Sequence, residues 1–400
     1  MSGFESLAAN RGSDFILYLG KMGFVYDIIV IGLGANGSSA LFNLSRTGKR
    51  VLGIDQFQPP HQRGSSHGES RIIRQAYHEN PLYVPLVKAA YPLWEELERL
   101  SGKRLFLRTG GLLLGQEEAM VVRGAKASAE LHGIPYEYLG AVELRKRFPA
   151  FRPDDDTVGV VEKEAGILFP EDCIAAYLEA ASANGAVVNT LERVLSIEPG
   201  RESVVVTTSA GRYSAEKVIV SAGAWLGSMM PGLRLPLSIE RQVLYWFENG
   251  NTASRGNFWP SKMPIFIWEH LIGKMFYGFP DLGRGVKIGF HHGGRHILPD
   301  ELTQEVAASE IAEMGEMAER YLSMEPVFKT SCVCMYTNTP DENFIIDFHP
   351  EHKNILIASP CSGHGFKFSS LTGQLLCKMV MGEETGFDLA PFRIDGNRYF

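Results

Sequence analysis

An apolar run followed by closely spaced glycines is the first clear pattern along the chain. Residues 26–31 read Tyr-Asp-Ile-Ile-Val-Ile and lead directly into three glycines within six positions. Such a β-branched run predicts a buried parallel strand that ends in a glycine turn. A helix over 35–47 and a second strand over 51–54 follow, so the pattern predicts a strand–turn–helix–strand unit.

The glycines and the acid after the second strand indicate an adenine-dinucleotide site. Gly32 permits the tight turn, Gly34 lets a pyrophosphate approach the backbone, and Gly37 lets the helix pack closely on the strand. Asp55 ends the second strand at about the spacing expected for the carboxylate that binds the adenosine ribose. A glycine-rich loop that binds nothing would leave this acid unexplained.

Further along the chain, helical periodicity alternates with strand-like segments. Helices are predicted over 83–100, 172–185, 304–322 and 371–381, and strands over 186–190, 203–208, 217–221 and 354–358. The segment 239–294 differs, because its short aromatic pieces are separated by turn residues, as in an antiparallel sheet. Its predicted strands are 242–247, 263–268, 274–279 and 285–291.

These elements predict a mixed α/β and α+β fold, in which a second domain is inserted into a Rossmann-like dinucleotide domain. The dinucleotide domain is expected to comprise residues 25–100, 160–238 and 325–393. The inserted antiparallel-sheet domain would comprise 101–159 and 239–324, with 1–24 as an N-terminal extension. A reactive site is expected at the interface of two such domains.

Composition narrows the class of protein. With 400 residues, 45% hydrophobic and 21% charged, the chain has the composition of a soluble globular protein large enough for two domains. A net charge of −7 argues against a nucleic-acid surface, and the apolar runs fall short of the roughly 18 residues that suggest a membrane span. The five cysteines form no small-domain disulfide framework, which favours a reducing, cytoplasmic location. No metal site is expected, because Cys332 and Cys334 are too close for a zinc knuckle.

Three clusters could carry chemistry. The first is Gly-Ser-Ser-His-Gly-Glu-Ser-Arg-Ile-Ile-Arg at 64–74, the second runs from Tyr277 to His291, and the third joins residues 334–337 with 362–367. In isolation each cluster has an ordinary interpretation. The arginines could be surface charges, Lys287 a strand-edge lysine, and the nearby histidines a polar turn.

Together, the clusters resemble one family: monomeric sarcosine oxidase, N-methyl-tryptophan oxidase and the peroxisomal sarcosine/pipecolate oxidase. The most specific stretches are 67–74, 334–337, 344–347 and 362–368, and the likeness extends from Tyr26 to about Arg393. The resemblance implies an amine oxidase with FAD bonded through its 8α-methyl group to Cys334. Cys332 lies outside the matching stretch and is expected to be a buried structural thiol. Position 361 departs from the family, because a larger apolar residue than cysteine is expected there. We expect this difference to change the floor of the substrate pocket.

The resemblance also implies roles for individual residues. Arg74 and Lys367 would bind the substrate carboxylate through charge-assisted hydrogen bonds, and Tyr336 would also contact the substrate. Lys287 would stabilise superoxide beside the flavin, with Arg71 on the other face. His291 and Tyr277 would line the amine site. The positions expected to contact FAD are Gly32, Gly34, Gly37, Asp55, Ser65, His67, Ser70, Arg71, Val194, Gly223, Cys334, Gly363, Gly365, Phe366 and Lys367.

The predicted function is oxidation of a secondary or N-methylated α-amino acid. Hydride would pass to flavin N5, the imine would hydrolyse, and O2 would be reduced to hydrogen peroxide. The expected partners are a small amino-acid substrate and O2, and the protein is expected to be a monomer. Two alternatives remain: a flavin dehydrogenase that passes electrons to a quinone or carrier, and a non-catalytic flavin- or NAD-binding module. Sarcosine, pipecolate, proline and N-methyl-tryptophan share the same amino-acid head, so the sequence leaves the substrate open.

Overall fold

Eight strands form a first sheet around the predicted strand–turn–helix unit. The computed structural model describes residues 24–394, so the predicted N-terminal extension lies outside it except for its last residue. The strand Phe24–Ile31 lies between Val51–Ile54 and Arg212–Val220 and runs parallel to both. The remaining strands of this sheet are Val187–Asn189, Val194–Pro199, Val204–Thr208, Ile345–Phe348 and Ile355–Ser359.

The glycine turn has the geometry that the sequence predicts. Gly32 has a positive φ of 85°, and a Cβ there would overlap the Ser221 backbone carbonyl. A Cβ on Gly37 would overlap the Gly32 carbonyl oxygen, so the helix Ala35–Ser45 can lie against the strand only with glycine at this position. The close helix–strand packing predicted for this unit is therefore confirmed.

A second sheet, also of eight strands, contains the four strands predicted over 242–291. Its strands are Gly111–Gln116, Glu137–Gly140, Thr157–Glu162, Ser238–Asn249, Ile265–Leu271, Lys274–Phe279, Val286–His291 and Pro326–Asn338. The sequence predicts an antiparallel sheet, but the observed sheet is mixed, because Ile265–Leu271 pairs in parallel with Gly111–Gln116. A small third sheet joins Arg71–Ile73, Gly166–Leu168 and Phe106–Arg108.

One strand corrects the expected domain division. Pro326–Asn338 pairs antiparallel with Ser238–Asn249 along nearly its whole length. It therefore belongs to the second sheet, whereas the predicted boundary at 325 assigned it to the dinucleotide domain. The other predicted domain limits remain predictions.

The helices pack on both large sheets, and Met120–His132, Ala141–Arg147 and Ala308–Tyr321 contact the second one. The helices are Ala35–Ser45, Val84–Ser101, Met120–His132, Ala141–Arg147, Pro170–Ala183, Leu226–Met229, Ala308–Tyr321 and Ser369–Met381. The four predicted beyond the first unit are present, although Ala308–Tyr321 begins four residues later than expected. Among residues 24–394, no helix is both long and apolar enough to cross a membrane.

Candidate active site

A cavity of about 580 Å³ lies at the carboxyl ends of the parallel strands of the first sheet. We call it the dinucleotide cavity. Seven of the predicted cofactor positions line it or its glycine turn: Gly32, Gly34, Gly37, Asp55, Ser65, Val194 and Gly223. Cys361 also lines this cavity and lies near Ser359. The departure at 361 therefore concerns the dinucleotide cavity and not the floor of the amine pocket.

Asp55 is held in place by backbone N–H groups of the glycine turn and of the segment that follows its own strand. One carboxylate oxygen accepts the Leu33 N–H at 2.7 Å, and the other accepts the Phe57 N–H at 2.8 Å. Because a carboxylate oxygen can accept more than one hydrogen bond, both retain capacity for hydroxyl groups. The position is the one predicted for ribose binding.

A smaller cavity of about 70 Å³, the inner cavity, lies where the second sheet, the 64–79 segment and the turn at 363–367 meet. It brings together residues that are far apart in the chain. The predicted residues on its wall are Arg71, Arg74, Tyr277, His291, Cys334, Tyr336, Gly363, Phe366 and Lys367. Four other predicted residues, His67, Ser70, Lys287 and Gly365, lie outside the walls of these two cavities.

Arg74 is only 1% exposed and already holds an internal carboxylate. Its Nη2 atom donates to both oxygens of Glu79, at 2.7 and 2.6 Å, and also lies 2.9 Å from His78 Nδ1. Burial alone would raise the pKa of the Glu79 carboxyl, but the Arg74 guanidinium beside it keeps that pKa well below its usual range. The two groups therefore form a buried ion pair.

Lys367 supplies a second buried cation beside Arg74. Its Nζ donates to the His364 carbonyl oxygen at 2.6 Å. Burial, followed by repulsion from Arg74, lowers the pKa of Lys367 to about 7. The Tyr77 ring lies under both cations, with its centroid 4.5 Å from the Arg74 guanidinium carbon and 5.2 Å from Lys367 Nζ.

Lys287 is held by the loop of the first sequence cluster. Its Nζ donates to the Gly68 carbonyl at 2.7 Å, and to the carbonyl and hydroxyl oxygens of Ser70 at 2.9 Å each. Burial, and then the nearby Arg71, lower the pKa of Lys287 well below its usual value. Ser70 therefore contacts Lys287 rather than either cavity.

The two neighbouring cysteines differ in their surroundings. Cys334 is 2% exposed and lines the inner cavity. Cys332 lies two residues earlier on the same strand and is only partly buried, with its Sγ 3.3 Å from His67 Nδ1. The expectation that Cys332 is a buried thiol is therefore wrong: it is only partly buried and contacts a fully buried histidine.

His291 and two tyrosines line the side of the inner cavity formed by the second sheet. The Tyr336 hydroxyl lies 3.5 Å from His291 Nδ1. Burial, and then the adjacent His292, lower the pKa of His291 well below its usual value, so its ring is neutral near pH 7. Burial raises the pKa of Tyr277 to about 12, so its hydroxyl stays protonated.

The third cluster forms a tight turn at the start of a helix. Gly363 has a φ of 76°, and a Cβ on Gly365 would overlap the Pro360 carbonyl oxygen. A short 3₁₀ turn, Phe366–Phe368, then continues into Ser369–Met381. The turn therefore places Phe366 and Lys367, which precede this helix, on the wall of the inner cavity.

Residues 27–379 match the family model described as DAO, FAD dependent oxidoreductase. The chain belongs to this family. It is 40% identical over 372 residues to monomeric sarcosine oxidase of Streptomyces avermitilis, covering 92% of this chain and 96% of that one. It is 36% identical to N-methyl-L-tryptophan oxidase of Salmonella dublin, covering 92% and 98%. Glycine oxidase of Geobacillus kaustophilus shares the fold, with a TM-score of 0.79 at 21% identity over 93% of this chain and 99% of that one. The predicted family and fold class are confirmed.

The arrangement fits the FAD that the family requires. The glycine turn leaves room for a pyrophosphate, because a Cβ on Gly34 would have only the Ser66 hydroxyl within 4 Å. Arg71 links the two cavities, since it lines the inner one and donates to the carbonyl of Ser65, on the wall of the other, at 2.6 Å. The adenine dinucleotide would therefore lie in the larger cavity, with the flavin ring directed toward the inner one.

The sequence does not predict several residues that shape the candidate site. Glu79 and Tyr77 contact Arg74 and follow it closely in the chain. An acid so near a predicted carboxylate-binding arginine could have indicated that Glu79 pairs with it. Glu171 gave no such signal. Its carboxylate accepts the Gly68 N–H at 2.6 Å and the Glu69 N–H at 3.1 Å, and it shapes the loop from a position a hundred residues away.

Proposed function

We propose that this protein is a FAD-dependent oxidase of secondary or N-methylated α-amino acids. The observation that carries the proposal is the pair of buried cations, Arg74 and Lys367, in the same cavity as a neutral histidine and Cys334. The names of the relatives, sarcosine and N-methyltryptophan oxidases, support this substrate class. Bound FAD would take a hydride from the carbon next to the amine nitrogen and pass the electrons to O2, which yields hydrogen peroxide.

The substrate carboxylate would bind between Arg74 and Lys367. Arg74 Nη2 already donates to Glu79, so the substrate carboxylate would either share this guanidinium with Glu79 or replace it. A substrate carboxylate there would accept charge-assisted hydrogen bonds from both cations, and an uncharged group would accept weaker ones. The pair therefore favours amino acids over simple amines.

The amine would lie beside His291, Tyr277 and Tyr336. Secondary amines are largely protonated near pH 7, and the aromatic faces favour that cation. Oxidation requires the nitrogen lone pair, so the ammonium proton must be accepted by a neighbouring group. The neutral ring of His291 can accept it.

We propose Cys334 as the residue that carries a covalent flavin. Its thiol lines the inner cavity, while Cys332 is directed to His67. Burial raises the pKa of the Cys334 thiol, but Arg71 and Lys287 act in the opposite direction and favour the thiolate needed for attachment.

We also propose Lys287 as the group that favours reaction with O2. Three oxygen acceptors fix its ammonium close to Arg71, and a fixed cation stabilises the superoxide that forms first. A dehydrogenase of the same fold would gain nothing from such a cation. We further propose that the protein acts as a cytoplasmic monomer.

The test is a pair of measurements on the purified flavoprotein. Sarcosine or N-methyl-L-tryptophan should bleach the flavin without oxygen, and air should restore it with one hydrogen peroxide formed per turnover. Bleaching that an added quinone reverses, but air does not, would support the dehydrogenase. No bleaching by any N-methyl amino acid would contradict the proposal.

A further inference from the structure

Lys287 and Arg71 are two neighbouring cations that share one acceptor. The carbonyl oxygen of Ser70 accepts from Lys287 Nζ at 2.9 Å and from Arg71 Nη1 at 2.8 Å. Lys287 also donates to the Gly68 carbonyl and the Ser70 hydroxyl, and Arg71 donates to the Ser65 carbonyl. None of these acceptors carries a formal charge. The loop therefore holds two cations close together without neutralising either.

This arrangement opposes the charge on Lys287. The residue is only 2% exposed, so its ammonium has lost most of its contact with water. Burial and then the repulsion of Arg71 both favour the neutral amine and lower its pKa. The role proposed for Lys287 with O2 requires the ammonium, so a group that favours the charged form is needed.

Glu171 contacts the same loop from the first turn of the helix Pro170–Ala183. Its Oε1 accepts the Gly68 N–H at 2.6 Å and the Glu69 N–H at 3.1 Å. The peptide group between these two residues is therefore bonded on both sides: its carbonyl oxygen accepts from Lys287, and its N–H donates to Glu171. Because hydrogen bonds in series polarise one another, the carboxylate makes this carbonyl a stronger acceptor for the ammonium.

The other titratable groups near Lys287 leave Glu171 as its counter-charge. Arg71 repels the ammonium, and the acid within the loop, Glu69, is paired with Arg284 where solvent reaches both side chains. Two thiols and an imidazole are neutral near pH 7, because burial raises the pKa of both thiols and lowers that of the imidazole to about 3: Cys332, Cys334 and His67.

We infer that Glu171 is a positioning residue for the reaction with O2: through the peptide group between Gly68 and Glu69, it keeps the Lys287 ammonium charged and fixed in the loop. The inference rests on the proposed function, which gives Lys287 its role with O2. Glu171 lies outside the walls of the dinucleotide cavity and the inner cavity, so it should affect reoxidation and not the oxidation of substrate.

The pH dependence of reoxidation tests this inference in Glu171→Gln, which removes the charge and keeps the size of the side chain. By stopped flow, the wild-type rate should fall as pH rises through the pKa of Lys287, because the neutral amine no longer stabilises superoxide. In Glu171→Gln this fall should begin at least about half a pH unit lower, which makes reoxidation about threefold slower on the falling limb. Anaerobic reduction by substrate should stay within about twofold. Asp172→Asn, which changes an exposed acid in the same helical turn, should alter neither rate.

Two further measurements show whether Glu171 acts through Lys287. In the Lys287→Met background, Glu171→Gln should slow reoxidation no further, whereas a merely structural role would add its own effect. The protonation of Lys287 is also measured without turnover, by NMR titration of the holoenzyme with 15N-labelled lysine side chains. Its signal is identified by its loss in Lys287→Met, and it should titrate at lower pH in Glu171→Gln.

A second variant covers a failure of Glu171→Gln to fold or to bind flavin. Glu171→Asp withdraws the carboxylate by one methylene, so the pH profile should move in the same direction by a smaller amount. An unchanged pH profile and Lys287 titration in the variant that folds would overturn the inference, as would further slowing in the Lys287→Met background. Peroxide formation by the wild-type protein beside either result would leave the proposed function intact.

Discussion

The dinucleotide cavity and the inner cavity are built by different means. Backbone carbonyls, N–H groups and glycines shape the first, and the carboxylate of Asp55 is fixed there by backbone hydrogen bonds. Buried charges shape the second: Arg74 is paired with Glu79 from its own segment, whereas Arg71 and Lys367 donate to backbone carbonyls. A site shaped by the backbone is disrupted when an added side chain fills its space. A site shaped by buried charges is disrupted when one charge loses its partner.

The steric half of this comparison gives the largest expected effect. Gly37→Val should yield little folded flavoprotein, because the added Cβ would overlap the Gly32 carbonyl, a backbone atom that cannot move away. We expect more than about 3 kcal/mol of destabilisation, measured by denaturant unfolding and flavin content. Gly227→Ala is the matched control, since a Cβ there meets open space. Normal flavin content in Gly37→Val would refute the steric argument.

Serine variants of Cys334 and Cys332 should differ completely in whether flavin stays with the acid-precipitated protein. In Cys334→Ser, any bound flavin should be released when the protein is precipitated with acid, because a hydroxyl does not replace the thiolate in attachment. Cys332→Ser should retain its flavin in the pellet, because that thiol contacts His67 instead. A flavin-bearing peptide that maps to Cys332 would reverse the assignment.

Loss of one buried charge tests the other half of the comparison. Arg74→Met should weaken the binding of amino-acid substrates roughly tenfold to a hundredfold, from a loss of about 1.5–3 kcal/mol, with a smaller effect on amines without a carboxylate. It also leaves Glu79 buried without its cation, so stability should fall. The double variant Arg74→Met/Glu79→Gln should recover stability but not substrate affinity. Equal loss for both classes of amine would make Arg74 purely structural.

Lys287→Met should slow reoxidation of the reduced flavin by O2 at least tenfold, about 1.4 kcal/mol, and leave anaerobic reduction by substrate within about twofold. The methionine keeps the apolar stem and removes the charge. Stopped-flow measurement of each half-reaction separates the two effects. Reoxidation within about twofold of wild type would remove the role proposed for this cation.

The smallest expected effect is the pH dependence of the dissociation constant of a carboxylate ligand. Lys367 has a lowered pKa of about 7 in the free protein, and a bound carboxylate would raise it. Above pH 7 binding must therefore take up a proton, so the dissociation constant of a carboxylate ligand should rise with pH, at most tenfold per unit. Below pH 7 the constant should level off, since His364, with a pKa of about 4, stays neutral there. Lys367→Met should remove the slope.

The same contrast explains what could be predicted from the sequence. The unit from 26 to 55 depends on local periodicity and glycine geometry, and each of its elements is present as predicted. The parallel pairing of Ile265–Leu271 with Gly111–Gln116 joins segments 150 residues apart, and nothing in either strand specifies its neighbour. The exposure of Cys332 and the location of Cys361 likewise depend on tertiary packing. The resemblance, rather than any pattern of charge, brought Arg74, Lys367 and Cys334 together.

The three hydrogen bonds of Lys287 have a consequence for protein engineering. They fasten the loop at Gly68 and Ser70 to a strand of the second sheet, so one side chain joins the segment that follows the glycine unit to the sheet that faces the substrate. A chimera that exchanged the second sheet alone would separate this lysine from the loop that positions it. Successful exchanges should therefore transfer residues 64–74 and 286–291 as one block.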